Sequence, residues 1–393
     1  MAVKELKENV LSVGAVHWER RLFDELIPLP DGTSYNSYLV IGSEKTALID
    51  AVEPETFSQL EDNLKEAGSK KIDYIISNHA EQDHSGGIAR LVEMYPDAKV
   101  VTNGKCKSML MDLLLIPEER FYEVKEGDTL ELGGKTLEFA ITPWVHWPET
   151  MVTYLREDKI LFSCDFFGSH MAAADLFDWK NFYVPAKRYY AEIMSPFRTI
   201  VRKNIEKVKN FDIAIIAPSH GYIYDDPKPI MDAYEDWASD EVKNEAMIVF
   251  VSMHASTLKM AEYLREALIK RGINVHYFNL TVTDPGALAI ALIDSATLVL
   301  GAPTVLAGVH PLGAYAAYLA NALRPKTKFA SLISSYGWAE KASGAITGTL
   351  TNFKGELLAP VISKGHPKEG DFKELDRLAD DIAAKHKEAG LLK

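Results

Sequence analysis

Past residue 245 the pattern of apolar residues alternates in a way that leaves few folds open. Residues 246–251 form an unbroken apolar run, as expected of a strand covered on both faces. Residues 257–270 then repeat at helical spacing through Leu258, Ala261, Leu264 and Leu268. The same pairing returns as a strand at 275–280 with a helix at 285–293, and a strand at 298–300 with a helix at 312–323. Strands at 329–333 and 357–361 and a helix at 372–387 close the chain. Repeated strand–helix units predict a doubly wound parallel sheet over 246–393.

The first 245 residues read differently. Short apolar runs at 38–41, 46–49, 72–76, 100–102, 137–141, 151–155, 160–162 and 213–216 are bounded by turn residues and predict strands. Helical spacing appears between some of them, at 55–67 and 88–94. This predicts a separate mixed α/β domain over 1–245. The chain has 393 residues, 47% of them hydrophobic and 25% charged, enough for two domains with ordinary cores.

Charge and cysteine usage narrow the function classes. A net charge of −13 argues against a nucleic-acid binder or a basic membrane-surface protein. No apolar stretch is long enough to span a bilayer, since 296–309 is interrupted by Gly301, Pro303 and Gly308. Only Cys106 and Cys164 are present, and no Cys-x-x-Cys exists. That excludes a disulfide framework, an in-chain rubredoxin-type iron site and a four-cysteine cluster. With no apolar leader at the start, the expected setting is cytoplasmic.

The chemistry of the first domain gathers at strand ends. Just past 72–76 stands Asn78-His79-Ala80-Glu81-Gln82-Asp83-His84, with four potential ligands within six residues. In a loop, His79, Glu81 and Asp83 can converge on a small volume. Imidazoles mixed with carboxylates suit a transition metal. His146, Asp165 and His220 each follow a further predicted strand. Any one of these alone is more often a structural, hydrogen-bonded loop residue. Their recurrence after the cluster is what points to a metal.

The string His79-x-Glu81-x-Asp83-His84, followed by His146, Asp165 and His220, resembles the metallo-β-lactamase fold, an αββα sandwich. Zinc hydrolases of that fold usually carry His where Glu81 stands. The Glu form, followed by a flavodoxin-like block, resembles the flavodiiron proteins, or A-type flavoproteins, across essentially the whole chain. The resemblance implies two iron ions per chain. His79, Glu81 and His146 would hold one, Asp83 and His220 the other, and Asp165 would bridge. It places His84 behind the ligands; His84 and Trp147 are candidates for shaping the pocket or giving protons. Glu81 in place of a neutral imidazole adds a negative charge, which favours an ion pair that cycles between ferrous and ferric over zinc, which does no redox.

In the second domain, Ser252-Met253-His254-Ala255-Ser256-Thr257 links the first strand to its helix. Hydroxyls in a turn at a helix N-terminus suit a phosphate dianion, or serve as an ordinary helix cap. Two later strand-end loops, with Pro303-Thr304-Val305 and with Ser335-Tyr336-Gly337-Trp338, line the same crevice of an open α/β sheet. Tyr336 and Trp338 offer flat faces to a ring. Together these loops resemble the FMN site of flavodoxins as found in flavodiiron proteins. Many relatives have Trp where His254 stands, and a glycine-rich step where Ala339-Glu340 stands.

The resemblance implies an oxidoreductase that passes electrons from an external donor through FMN to a non-haem diiron site, reducing dioxygen to water, nitric oxide to nitrous oxide, or both. The donor expected is a rubredoxin or a reduced deazaflavin. It also implies a head-to-tail homodimer or a dimer of dimers. Two other readings stay open on the residues alone: a zinc-dependent hydrolase of the metallo-β-lactamase type, and a non-enzymatic flavodoxin-type electron carrier.

Overall fold

The structure, a computed structural model, describes residues 3–393 and divides into two compact units, Met1–Ala238 and Ser239–Lys393. The division falls before the expected step at 245, because Lys243–Glu245 already belong to the first strand of the second unit, Lys243–Phe250.

The first unit holds two principal sheets. One runs in the order Lys4–Lys7, Val10–Ser12, Tyr38–Ile41, Thr46–Ile49, Tyr74–Ile76, Lys99–Thr102 and Phe121–Glu123. The other runs Thr129–Glu131, Thr136–Ile141, Met151–Leu155, Ile160–Cys164 and Ile215–Pro218. Side chains alternate across a strand with period two, and the first sheet uses both faces. Leu39, Leu48, Ile75 and Val100 share a core with residues of helices Phe57–Glu66, Ile88–Met94 and Gly104–Leu114. Tyr38, Val40, Ile49, Ile76 and Val101 instead share one with Phe139, Met151, Leu155, Phe162 and Ile215 of the second sheet. On the far side, helix Arg198–Val208 is tied to the second sheet by Asn204 Nδ2 donating to the Pro143 carbonyl at 3.1 Å and Lys207 Nζ to that of Ile141 at 2.7 Å. The layers are helix, sheet, sheet, helix. Each large apolar side chain buried there contributes about 1.5–3 kcal/mol, against about 0–1 kcal/mol for an exposed ion pair. The apolar layers therefore hold the sandwich.

The second unit is one largely parallel sheet in the order Asn274–Asn279, Lys243–Phe250, Ser295–Val305, Phe329–Tyr336, with two short strands on the last edge and Gly308–Val309 antiparallel to the end of Ser295–Val305. This is the flavodoxin order, with its crevice at the carboxyl ends of the strands. Helices Ser256–Lys270 and Glu369–Glu388 cover one face through Met260, Leu264, Leu375 and Leu378. Residues 357–361, expected as one strand, form parts of two: Glu356–Leu357 and Val361–Lys364. They pair with Phe329–Tyr336 on either side of Pro360, which has no amide to give a ladder. Among the described residues no helix is long and apolar enough to cross a membrane.

Candidate metal centre

His79 lies three residues past the strand Tyr74–Ile76, and its ring is fully buried. Nδ1 donates to Glu149 Oε1 at 2.6 Å, a carboxylate that also accepts the Ala80 amide at 3.1 Å. That bond fixes the tautomer and turns the lone pair of Nε2 inward. Nε2 lies 3.1 Å from Glu81 Oε2 and 3.5 Å from Asp165 Oδ2. His146 Nε2 lies 3.0 Å and 3.6 Å from the same two oxygens. These four residues form one donor set.

A second set adjoins it. Asp83 Oδ2 is 3.0 Å from His220 Nε2, and Asp83 Oδ1 is 3.3 Å from His84 Nε2. Asp165 Oδ1 completes the set, 3.0 Å from His84 Nε2 and 3.5 Å from His220 Nε2. His220 Nδ1 donates to the Ser34 carbonyl at 2.7 Å, repeating the tautomer of His79. The turn that aims His220 depends on Gly221, whose φ is +72° and where a Cβ would run into Ser169. The two sets thus share Asp165, one oxygen to each. Tyr189 Oη donates to Asp165 Oδ1 at 2.6 Å and fixes the carboxylate plane.

The residues fit a pair of metal ions on two counts. Two donors about 2.1 Å from one ion, at 90–110° to each other, stand about 3.0–3.4 Å apart, and most separations here fall in or beside that range. Several of the atoms are also buried without a hydrogen bond: both oxygens of Asp83, Asp165 Oδ2 and His84 Nε2. Buried polar atoms left orphaned cost about 1–3 kcal/mol each, and atoms that converge on a common point without bonding to one another are what a cation satisfies. Electrostatics agree. Burial opposes charge on the His84 ring, yet Asp165 and Asp83 outweigh it and raise its pKa to about 9. Burial likewise opposes charge on Asp165, and the His84, His79 and His146 rings overcome it, holding the carboxyl well below its usual range. The carboxylates call for positive charge at the rings, and a metal ion brings it without the protons.

All six donors expected from the sequence, His79, Glu81, Asp83, His146, Asp165 and His220, come together. His84, expected behind them, stands in the ring of donor atoms beside Asp83 and His220. Trp147 packs edge-on against His79, ring centres 5.0 Å apart. Sequence reasoning missed Glu149, Tyr189 and the Ser34 carbonyl. It also missed His170, whose ring centre lies 4.8 Å from that of His220 and whose Nε2 is buried without a partner. Glu149 had a signal, three residues past His146. A carbonyl 186 residues from its histidine had none.

In the second unit a cleft opens at the carboxyl ends of the strands. Ser252, Met253, His254, Ser256, Pro303, Thr304, Ser335, Tyr336 and Gly337 line it, as expected, together with Gly365. Thr257 is buried beside it, its hydroxyl 2.9 Å from that of Ser335. Ala255, with φ +62°, makes the turn into the helix. Val305 and Trp338 are not among the lining residues, and Trp338 is 78% exposed. The Leu258 amide donates to Ser252 Oγ at 3.1 Å, so this loop is built around the helix N-terminus. Its hydroxyls, amides and flanking Tyr336 fit a flavin mononucleotide.

Residues 33–221, which include all of the candidate donors named above, match the family model described as ODP family beta lactamase. The whole chain is similar to a coenzyme F420H(2) oxidase of Methanothermobacter marburgensis, 36% identical over 91% of this chain and 90% of that one. A nitric oxide reductase of Moorella thermoacetica is 32% identical over 97% and 98%. A flavo-diiron protein of Clostridium acetobutylicum is 32% identical over 98% and 99%. Among solved structures, the rubredoxin oxygen:oxidoreductase of Desulfovibrio gigas superposes with a TM-score of 0.93 at 29% identity, covering 98% of each chain.

Proposed function

This chain belongs to the flavodiiron protein family, and we propose that it is an oxidoreductase that reduces dioxygen to water, nitric oxide to nitrous oxide, or both. Bound FMN and a diiron centre would supply the redox chemistry, fed by an external electron donor. The observation that carries this reading is the pair of donor sets sharing Asp165. His79, Glu81 and His146 would hold one iron, Asp83, His84 and His220 the other, with one oxygen of Asp165 for each. When bound, the two irons and FMN supply the electrons that a diatomic gas takes up.

The chain's own residues do the rest. Glu149 and the Ser34 carbonyl hold the His79 and His220 rings in the tautomer that ligates. Tyr189 holds Asp165 in the orientation that serves both sets. Trp147 and His170 pack against ligand rings and keep bulk water from them. A reduced deazaflavin is the donor favoured here, supported by the similarity to a coenzyme F420H(2) oxidase; a rubredoxin is the alternative. A head-to-tail homodimer and a cytoplasmic setting complete the reading, the latter supported by two unpaired cysteines.

The test is anaerobic loading of the protein with iron and FMN, then amperometry with a chemically reduced donor against each gas. Consumption of either gas is expected. Loaded protein that consumes neither, or purified protein that holds only zinc and hydrolyses an ester or phosphodiester, overturns the proposal.

A further inference from the structure

Beside the flavin cleft, the loop after Val361–Lys364 carries a histidine that the phosphate loop does not itself supply. Gly365, with φ +75°, donates its amide to the Tyr336 carbonyl at 2.8 Å and lines the cleft. This sets His366 against helix Ser256–Lys270, where it meets two residues one turn apart. His366 Nδ1 lies 3.0 Å from Ser256 Oγ, and His366 Nε2 lies 3.5 Å from Lys259 Nζ.

The donor inventory fixes the direction of this chain of contacts. An ammonium has only protons to give, so the ring nitrogen facing Lys259 accepts. A neutral ring then carries its proton on Nδ1, and Nδ1 donates to Ser256 Oγ. Ser256 thereby receives a bond at its oxygen and keeps its own proton free to give. Ser256 also lines the cleft, at the first turn of the helix, where amides and dipole already favour an anion. Thr257 and Ser335 instead turn their hydroxyls on each other.

We propose that His366 is a positioning residue for the flavin phosphate: with Lys259 behind it, it orients the Ser256 hydroxyl as a donor to the phosphate and brings a lysine charge to bear on a cradle that has none of its own. This rests on the flavin reading above. Riboflavin, which has the same ring system and no phosphate, separates the two.

The experiment is titration of flavin-free, full-length protein with FMN and with riboflavin, followed by quenching of flavin fluorescence. The wild-type chain should bind FMN more tightly than riboflavin. His366→Ala should weaken FMN about tenfold, the loss of one charge-assisted hydrogen bond, and leave riboflavin within about twofold. His366→Asn, whose amide can still donate to Ser256, should recover most of the loss. The double variant His366→Ala/Ser256→Ala should bind FMN no more weakly than Ser256→Ala alone, because one acts through the other. Equal losses for both flavins, unchanged FMN affinity, or additive losses overturn the inference while the flavin reading stands. A wild-type chain that binds neither flavin overturns the flavin reading, and this inference with it.

Discussion

Asp165 is the residue on which the two donor sets depend, and its neighbours show how tightly its role is fixed. One oxygen faces His79 and His146, the other faces His84 and accepts a hydrogen bond from the Tyr189 hydroxyl. An amide in its place loses the charge and turns one coordinating oxygen into a donor. Asp165→Asn should therefore drop iron from about two per chain to at most about one on anaerobic reconstitution, read by elemental analysis; full loading would refute the shared role. Glu149 acts one step back. Glu149→Gln keeps the size but weakens the hold on the His79 tautomer, and chelator competition should show iron bound about 10–100-fold more weakly. The sequence exposed the donors because carboxylates and imidazoles stand in a tight string and at successive strand ends. Tyr189 and Ser34 stayed hidden for a different reason. Their work is done through contacts between residues far apart in the chain, 24 and 186 positions, and in the Ser34 case through a backbone carbonyl that every residue owns.

At the scale of elements, legibility followed burial. The run at 246–251 and the helix at 257–270 match Lys243–Phe250 and Ser256–Lys270 closely, since a strand or helix sunk in a core must carry the apolar period. Helices Gly104–Leu114, Arg198–Val208 and Lys228–Ala238 went unassigned because charged residues interleave their short apolar faces. One contact between elements sets a pH limit. His386, on the closing helix, is fully buried, with Nε2 accepting from Thr297 Oγ1 at 2.8 Å and Nδ1 donating to Asn244 Oδ1 at 2.8 Å. Burial lowers its pKa to about 4. The unfolded ring takes a proton near pH 6.5 and the folded ring does not, so this clip stabilises fully above that pH and loses its contribution as pH falls towards 4. The loss is roughly 3 kcal/mol at its fullest. Thermal scans of the full chain should show the second unit's transition falling between pH 6.5 and 4. In His386→Gln that fall should be shallower; the same slope in both would assign it to other groups.

For the whole molecule the division of labour is complete. Among the described residues, every candidate metal donor lies in Met1–Ala238 and every cleft residue in Ser239–Lys393. Among the described residues, the donors named above and the cleft residues named above come from separate units, so each site should load alone, and a chain stripped of iron should keep its flavin. That independence makes the proposed head-to-tail dimer testable by complementation. One variant, Asp83→Asn/Asp165→Asn, keeps the flavin cleft and loses metal. Another, Ser252→Glu, keeps the metal donors and sets a carboxylate against the phosphate. Each alone should be inactive. If flavin in one subunit serves the irons of its partner, mixing the two and allowing subunits to exchange makes half the dimers mixed, each with one intact route of two. About a quarter of wild-type turnover per chain should return. Transfer within a single chain gives no recovery at any mixing ratio, because no chain then holds both working sites. A mixture that stays silent after exchange has been verified by mass would remove the dimer from the mechanism and leave each chain to work alone.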